Sequence, residues 1–262
     1  MNAAIQLTGL TKRFGERVAL NAISATIPTG GITGLVGPDG AGKSTLLRLL
    51  AGLLVPEAGE IRVLGLDPVR EGDALRQRLG YMPQQFGLYE DLSVQENLSL
   101  YADLRGVLEP ERTSTLARLL AFTDLARFTA RPAGKLSGGM KQKLGLACAL
   151  LGTPDVLLLD EPGVGVDPIS RRALWQMVRE LAEGGMTVLW STAYLDEAEL
   201  CDHVLLMADG EVRTSGTPAT LMGAMASRCW LLEAGELDGR ERRALLRRAL
   251  AHPAVMDGTV AG

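Results

Sequence analysis

Nine consecutive residues have the types and spacing that bind a phosphate chain. The segment from Gly37 to Thr45 reads GPDGAGKST and fits the pattern G-x-x-x-x-G-K-[ST]. Glycines in such a loop let backbone N–H groups approach phosphate oxygens, and the following helix points its N-terminus at the same anion. Lys43 can reach the β- and γ-phosphates of a nucleotide, and Ser44 can hold Mg²⁺. The candidate phosphate-binding residues are Gly37, Pro38, Asp39, Gly40, Ala41, Gly42, Lys43, Ser44 and Thr45.

Two neighbouring carboxylates complement this loop. The stretch VLLLDEP places Asp160 at the end of a buried strand and Glu161 directly after it. Asp160 can support Mg²⁺, usually through water, and Glu161 can orient and deprotonate an attacking water. An acidic pair at a strand end can also do no more than cap the next helix. The presence of the phosphate loop favours the chemical interpretation.

The surrounding segments are those of an α/β protein. A short buried strand, GGITGLVG, precedes the loop, and a buried helix, KSTLLRLLAGLL, follows it. The stretches PDVLLLDEP and MTVLWST are continuously apolar, as strands of a parallel sheet covered on both faces are. The N-terminal stretches AIQLTGLTKRFG and RVALNAISATIPTG alternate apolar and polar residues, which predicts half-buried strands. This context makes the GPDGAGKST match more than a chance occurrence.

The pattern of apolar and charged residues along the chain predicts its domain organisation. Residues from about 92 to 150 carry apolar side chains at helical spacing, which predicts a helical insert in the α/β domain. After Met225 the stretch CWLLEAG, the charged helix GRERRALLRRALAHP and AVMDGTVAG resemble the start of a small βαβ appendage that ends early. We therefore expect one main domain over residues 1–225 and a truncated appendage over residues 226–262.

Composition limits the function classes. The 262 residues carry a net charge of −4, so there is no overall basic field for nucleic acid. The N-terminus lacks the apolar core of a signal peptide, and nowhere do about 18 apolar residues run together, so no bilayer-spanning segment is expected. The three cysteines, Cys148, Cys201 and Cys229, have no metal-binding spacing and are expected to be reduced. Two histidines are too few for a metal cluster.

A second glycine-containing loop narrows the class of protein. The stretch LSGGMKQKLGLACAL, which starts at Leu136, resembles the signature of ATP-binding-cassette (ABC) ATPases. Ser137, Gly138 and Gly139 stand at a helix start, where exposed N–H groups and a hydroxyl form an anion site. The two loops cannot together enclose one γ-phosphate within a single chain. The resemblance implies a head-to-tail dimer in which each ATP lies between one cassette's phosphate loop and the other's signature.

Further motifs match this family in order over about residues 4–222. The resemblance makes Gln84 the glutamine that touches Mg²⁺, with Gln85 as a rival that the spacing to LYEDLSV disfavours. It makes Phe14 the aromatic residue that stacks on adenine, although a core position is an alternative. It makes Asp167 a residue that crosses the dimer interface.

What the resemblance implies is an α/β P-loop NTPase fold with a RecA-like core, an antiparallel β subdomain and an α-helical insert subdomain. The implied cofactors are ATP and Mg²⁺. The implied metal ligands are Ser44, Gln84 and Asp160.

Ala193 departs from the family pattern. In the family the residue after Ser-Thr is usually a histidine that contacts the γ-phosphate and holds the catalytic glutamate and water, but here alanine follows Thr192. Removing one such positioning donor costs about 10²–10³ in rate. We therefore expect a half-site that binds MgATP well and hydrolyses it slowly. The alternatives are that Thr192 or a water replaces the imidazole, or that the alanine is an engineered or cloning substitution.

Three stretches, GPDGAGKSTL, GYMPQQFGLYEDLSVQENL and LLLDEPGVGVDPISRR, resemble those of ABC-2-type exporters, and specifically the first cassette of two-cassette subunits of bacterial drug and cation efflux pumps. This implies two kinds of partner: integral membrane permease subunits, and a second cassette from the same full-length chain or from another copy. It also implies a peripheral location on the cytoplasmic face of the inner membrane. The alternatives are a soluble ABC ATPase in translation or DNA repair, and a module in which nucleotide binding matters more than turnover.

Overall fold

The computed structural model of the chain describes residues 3–85, 87–226 and 238–252. Packing divides the chain into two compact units, Met1–Leu221 and Met222–Gly262. This division falls slightly before the boundary that the sequence predicts between residues 225 and 226. Helix α9 of the second unit spans Gly239–Leu250 and begins with a capping box formed by Asp238 and Glu241. The two strands predicted to flank this helix lie outside the described residues.

Two sheets organise the first unit. A three-stranded antiparallel sheet has the order β2-β1-β4, and a six-stranded sheet has the order β5-β6-β7-β3-β8-β9, in which only β9 runs antiparallel to its neighbour. The predicted α/β fold with an antiparallel sheet is therefore confirmed. The strands are β1 Ala3–Phe14, β2 Arg17–Pro28, β3 Gly31–Val36, β4 Ala58–Val63, β5 Leu79–Met82, β6 Val156–Leu159, β7 Thr187–Thr192, β8 His203–Ala208 and β9 Glu211–Gly216.

Helices connect and cover these strands. The remaining described helices are α1 Lys43–Leu50, α2 Gly72–Arg76, α3 Val94–Leu104, α4 Glu111–Phe122, α5 Gly138–Ala149, α6 Pro168–Glu183, α7 Leu195–Ala198 and α8 Pro218–Ala226. Helices α3, α4 and α5 fall within the predicted insert, which also contains two 3₁₀ turns, Ala126–Phe128 and Ala133–Lys135. None of the helices in the described part of the chain is long and apolar enough to cross a lipid bilayer.

The continuous apolar strands are explained by burial on both sheet faces. Successive side chains of a strand point to opposite faces. In β6, Leu157 and Leu159 pack into a core shared with the insert helices, while Val156 and Leu158 pack into a core shared with α1 and the three-stranded sheet. All four side chains are fully buried. A strand with two buried faces needs apolar residues at every position, which is the pattern that the sequence shows.

The strand order brings three loops to one edge of the six-stranded sheet. Strands β6, β7 and β3 are adjacent and parallel, with Leu159 opposite Trp190 and Val36 opposite Thr192. Their carboxyl ends therefore meet at the same edge, where ligands of open α/β sheets bind. The backbone N–H of Gly37 donates to Thr192 O over 3.1 Å, which ties the loop after β3 to the end of β7.

Candidate nucleotide-binding site

The glycine-containing loop after β3 wraps the N-terminus of α1. Gly42 is the N-cap residue of α1 and has φ 102°, a left-handed conformation that residues with a Cβ rarely adopt. A Cβ at this position would also lie 2.7 Å from Ala19 O. Glycine is therefore required here for both backbone conformation and space. The loop directs the free N–H groups at the start of α1 towards the cavity that it encloses.

Lys43 is held inside this loop. Its side chain is almost fully buried, and Nζ donates to Gly37 O over 2.7 Å and to Pro38 O over 3.0 Å. The same ammonium lies 3.0 Å from Glu161 Oε1. These contacts fix the ammonium between the phosphate loop and the carboxylate that follows β6. A positive charge is thus positioned for the phosphate chain of a nucleotide.

Asp160 provides a carboxylate that suits a divalent cation. Ser44 Oγ donates to Asp160 Oδ1 over 2.9 Å, whereas Asp160 Oδ2 is buried and has no hydrogen-bond partner within the described residues. Burial raises the pKa of Asp160. A buried, unpartnered carboxylate oxygen beside a hydroxyl oxygen matches the oxygen ligands that Mg²⁺ prefers. The residues present therefore fit the predicted metal.

Glu161 lies in a conformation that is costly for a residue with a side chain. Its φ is 49°, in the left-handed region, which costs about 1–3 kcal/mol for a residue other than glycine. Its carboxylate is buried between two partners: Oε1 faces Lys43, and Oε2 accepts from Gln84 Nε2 over 2.8 Å. The contacts with Lys43 and Gln84 hold the residue in this strained conformation. The glutamate is held in one place next to the phosphate loop.

Ser191 is a site residue that the sequence analysis missed. Its Oγ donates to Asp160 Oδ1 over 3.0 Å and accepts from the backbone N–H of Glu161 over 2.8 Å. It therefore positions both carboxylate-bearing residues from the end of β7. The available signal was the polar pair Ser191-Thr192 after the apolar run 188–190, but the adjacency of β6 and β7 is not visible in the sequence.

Replacing Ser191 with alanine should lower the free energy of unfolding by about 1–3 kcal/mol, because it leaves the buried N–H of Glu161 without its acceptor. Urea unfolding followed by circular dichroism measures the change. Ser114→Ala is the matched control, since the Ser114 side chain is exposed and donates only to Glu111 O. Equal stability of the two variants would contradict a positioning role for Ser191.

A cavity of about 490 Å³ is lined by residues of the phosphate loop and by Glu161, whereas Asp160 and Ser191 are not among its lining residues. Phe14 is 50% exposed at its rim, so it is not a core side chain, and Lys12 Nζ lies 5.3 Å from the centroid of its ring. Gln84 lines the cavity, whereas its rival Gln85 does not. The lining residues are Phe14, Arg17, Ala19, Asp39, Gly40, Gly42, Lys43, Ser44, Thr45, Gln84 and Glu161.

The signature segment does not line this cavity. Ser137 is the N-cap residue of α5, its Oγ accepts from Met140 N over 3.3 Å, and Ser137 and Gly138 are exposed. A Cβ at Gly139 would lie 2.4 Å from Ser170 Cβ, so the segment packs closely against the start of α6. The signature segment thus lies on a part of the surface outside this cavity.

Asp167 lies beside this second surface. It is exposed and is the N-cap residue of α6, where Oδ1 accepts from the backbone N–H groups of Ile169 and Ser170. Hydrogen bonds from Ser170 hold the pKa of the Asp167 carboxyl below its usual value. The carboxylate therefore stays ionised on the surface that also carries the signature.

Ala193 is exposed directly after β7, at the edge of the sheet that carries the cavity. The neighbouring hydroxyl of Thr192 is buried and accepts from Tyr194 N over 3.0 Å. His203 begins β8 and lies opposite Thr33 of β3, towards the other edge of the sheet. His203 therefore does not provide an imidazole at the position of Ala193.

Together, the parallel sheet, the loop around Lys43 and the paired carboxylates define a P-loop nucleotide-binding domain. A family model described as ABC transporter matches residues 20–164. The chain belongs to this family, as an ATP-binding cassette, and the predicted fold class is confirmed.

The names of similar proteins favour the exporter class of ABC ATPases. The chain is 59% identical over 263 residues to the probable multidrug ABC transporter ATP-binding protein YbhF of Escherichia coli (strain K12); the match covers 100% of the chain and 45% of that relative. It is 39% identical over 221 residues to the Nod factor export ATP-binding protein I of Rhizobium sp. (strain N33), covering 84% of the chain and 72% of that protein. The alternative of a translation or DNA-repair ATPase is not favoured. The chain spans less than half the length of YbhF.

A solved structure carries the same fold. The dimeric post-hydrolysis state of the ATP-binding cassette MJ0796, bound to ADP and Pi, superimposes with a TM-score of 0.73 at 29% identity. The superposition covers 81% of the chain and 98% of that cassette. The predicted class of an ABC ATPase is therefore confirmed at the level of the family.

Proposed function

We propose that the chain binds MgATP at a head-to-tail interface between two cassettes and couples ATP binding and hydrolysis to export through a separate membrane subunit. The observation that carries this proposal is the division of the machinery into two surfaces. Lys43, Ser44 and Glu161 line one cavity, and the signature segment 137–139 lies outside it. A second cassette is needed to bring the two surfaces together across one nucleotide.

In the proposed site the triphosphate occupies the loop of residues 37–45. Backbone N–H groups at the start of α1 and the Lys43 ammonium bind the β- and γ-phosphates, and Phe14 stacks on the base. Ser44, Gln84 and Asp160 would hold Mg²⁺, which neutralises charge on these phosphates when it is bound. The fit rests on the unpartnered buried oxygen of Asp160 and on the hydroxyl of Ser44 beside it.

Glu161 is placed to act on the attacking water. Its carboxylate lines the cavity and is held by Lys43 and Gln84, and the γ-phosphate is proposed to lie next to it. A γ-phosphate competes with Glu161 for the Lys43 ammonium. This competition frees Glu161 to accept a hydrogen bond from water and to take its proton. Ala193 supplies no donor to this water, so we expect slow turnover at this half-site.

Glu161→Gln should lower ATP hydrolysis at saturating MgATP by about 10²–10⁴-fold, because the amide cannot accept a proton from water. ATP binding should remain, and the trapped nucleotide should hold two cassettes together. Analytical ultracentrifugation with MgATP should then show a species of twice the monomer mass that disappears when nucleotide is removed.

Glu199→Gln is the matched control for this substitution, because Glu199 is exposed at the end of α7. This control should leave the rate of ATP hydrolysis and the sedimenting mass the same as in the unaltered protein. A Glu161→Gln protein that binds MgATP and yet sediments as a monomer at every concentration would rule out a nucleotide sandwich between two copies of this chain. Undiminished hydrolysis in that variant would rule out the role of Glu161 as the base.

The membrane partner is proposed from the relatives and from a second concave surface. A cavity of about 440 Å³ lies between the segment that follows β5 and helices α3 and α5. Apolar side chains such as Leu88 and Leu104 line it together with Tyr101 and Arg105. We propose that permease helices dock here on the cytoplasmic face of the inner membrane. Because YbhF is more than twice as long, the second cassette is proposed to follow in the same full-length chain.

A module in which binding matters more than turnover is the second candidate, favoured by Ala193. In this version the other cassette of the pair performs most of the hydrolysis. Both candidates share the nucleotide site and differ only in the turnover at this half.

A further inference from the structure

Arg17 is delivered to the nucleotide cavity by the same hairpin as Phe14. Strand β1 ends at Phe14, strand β2 begins at Arg17, and these two residues are paired across the two-residue connection Gly15-Glu16. Side chains of directly paired residues in antiparallel strands lie on the same face of the sheet. The aromatic ring and the guanidinium therefore reach the same side of the hairpin.

The guanidinium of Arg17 lies next to the phosphate loop. Arg17 lines the 490 Å³ cavity, and one of its terminal nitrogens is 3.5 Å from the point where a Cβ at Gly40 would stand. Gly40 is the fourth residue of GPDGAGKST. The ring of Phe14 has the Lys12 ammonium 5.3 Å from its centroid, and this ammonium is also paired with Glu57. Arg17 is thus placed against the loop that holds phosphates.

The charges around the cavity leave Arg17 available for a ligand. The cavity is lined by two carboxylates, Asp39 and Glu161, and by two cations, Arg17 and Lys43. The Lys43 ammonium is paired with Glu161, whereas the guanidinium of Arg17 has no hydrogen bond or ion pair to any residue that the structure describes. A triphosphate placed here would be repelled by Asp39. A second cation at the loop offsets that repulsion.

Building on the nucleotide site proposed above, we propose that Arg17 is a second cationic ligand of the nucleotide's phosphate chain. The guanidinium is planar, stays charged and presents parallel donors, which suits phosphate oxygens better than an ammonium does. Because Arg17 is exposed, its contact is weaker than that of the buried Lys43. Its contribution depends on the phosphates and not on the base.

The test compares MgATP with magnesium tripolyphosphate, a ligand that has the phosphates and lacks base and ribose. Isothermal titration or displacement of a fluorescent nucleotide gives the Kd for each ligand. Arg17→Gln should weaken the binding of both ligands by about tenfold, as expected for loss of one charge-assisted hydrogen bond at an exposed position. Arg17→Lys should weaken their binding by less, about two- to threefold. Phe14→Ala should weaken the binding of MgATP alone.

Salt dependence provides an independent readout. The Kd of MgATP should rise less steeply with salt concentration in Arg17→Gln than in the unaltered protein, since one ionic contact has been removed. Arg127→Gln is the matched control, because its side chain is 80% exposed and lies outside the cavity. It should change neither the Kd values nor their salt dependence. Equal thermal midpoints establish that all variants are folded.

Three outcomes overturn the assignment of Arg17. The first is an unchanged Kd for MgATP in Arg17→Gln. The second is weaker binding of MgATP with unchanged binding of tripolyphosphate, which would place Arg17 at the base or ribose. The third is an unaltered salt dependence of MgATP binding. If the unaltered protein binds neither ligand, the nucleotide site itself is refuted, which is a different result from loss of the Arg17 contact alone.

Discussion

Lys43→Ala is expected to weaken MgATP binding by about 10²–10³-fold, the largest effect on binding that we predict. The ammonium makes two hydrogen bonds to loop carbonyls and an ion pair with Glu161, so it is fixed before any ligand arrives. Each hydrogen bond from a charged donor is worth about 1.5–3 kcal/mol, and two phosphates share this donor. Its removal also leaves the buried Glu161 carboxylate without its cation, which adds repulsion of the phosphates.

Titration of the variant with labelled nucleotide and magnesium measures this loss. The double variant Lys43→Ala with Glu161→Gln separates the two causes, because the added repulsion is removed while the missing donor is not. It should recover only part of the affinity. Arg70→Ala is the control for loss of a positive charge, since its side chain is 84% exposed. MgATP binding by Lys43→Ala at the affinity of the unaltered protein would refute the nucleotide site.

Ala193→His should raise ATP turnover by about 10²–10³-fold at saturating MgATP, with little change in the Kd for ATP. Ala193 follows β7 at the edge that carries Asp160 and Glu161, so we expect an imidazole attached here to reach the γ-phosphate of the proposed nucleotide. Phosphoryl transfer depends mainly on positioning and on stabilising charge in the transition state. The donor is therefore expected to act on kcat and not on ground-state binding. The position is exposed, so the larger side chain is accommodated without loss of packing.

Phosphate release at saturating MgATP measures this gain, and Ala193→Ser is the control for a small polar side chain that lacks the imidazole. A histidine variant no faster than the unaltered protein would contradict our account of Ala193. Thr192→Val tests one of the alternatives, in which the Thr192 hydroxyl acts in place of the histidine. If the Thr192 hydroxyl replaces the imidazole, this substitution should abolish the residual turnover. The hydrogen bond that Thr192 accepts from Tyr194 N uses a lone pair of the hydroxyl and leaves its O–H able to donate, so only the substitution tests this role.

Much of the fold was predictable because its causes are local. The apolar strands around residues 31–36, 156–159 and 187–192 and the helices at 43–50 and 168–183 follow from patterns within a few residues. The insert helices were also visible, as apolar spacing between residues 92 and 150. The end of α1 at Leu50 was not predicted, since the sequence pattern extended this helix through AGLL. Helix ends depend on backbone conformation and caps that apolar spacing does not report.

The site was predictable only in part. The residues of GPDGAGKST could be predicted to act together because they are contiguous, and the chemistry proposed for Asp160 and Glu161 follows from their type and place at a strand end. Ser191 was not found, since its role comes from the hydrogen bonds that it makes to residues some thirty positions away. Arg17 was not found either, because its approach to Gly40 joins a hairpin to a loop from another sheet.

The sequence by itself determined the class of chemistry, since a phosphate loop, a carboxylate pair and a signature segment are each short runs whose residue types define what they bind. It also exposed the departure at Ala193. The tertiary structure decided which of these runs meet. The order β6-β7-β3 places Lys43, Asp160 and Ser191 at one edge, and packing of α5 against α6 directs the signature elsewhere. The physical reason is that contacts between distant segments depend on how sheets and helices bury their apolar faces together, and residue spacing along one chain does not encode that arrangement.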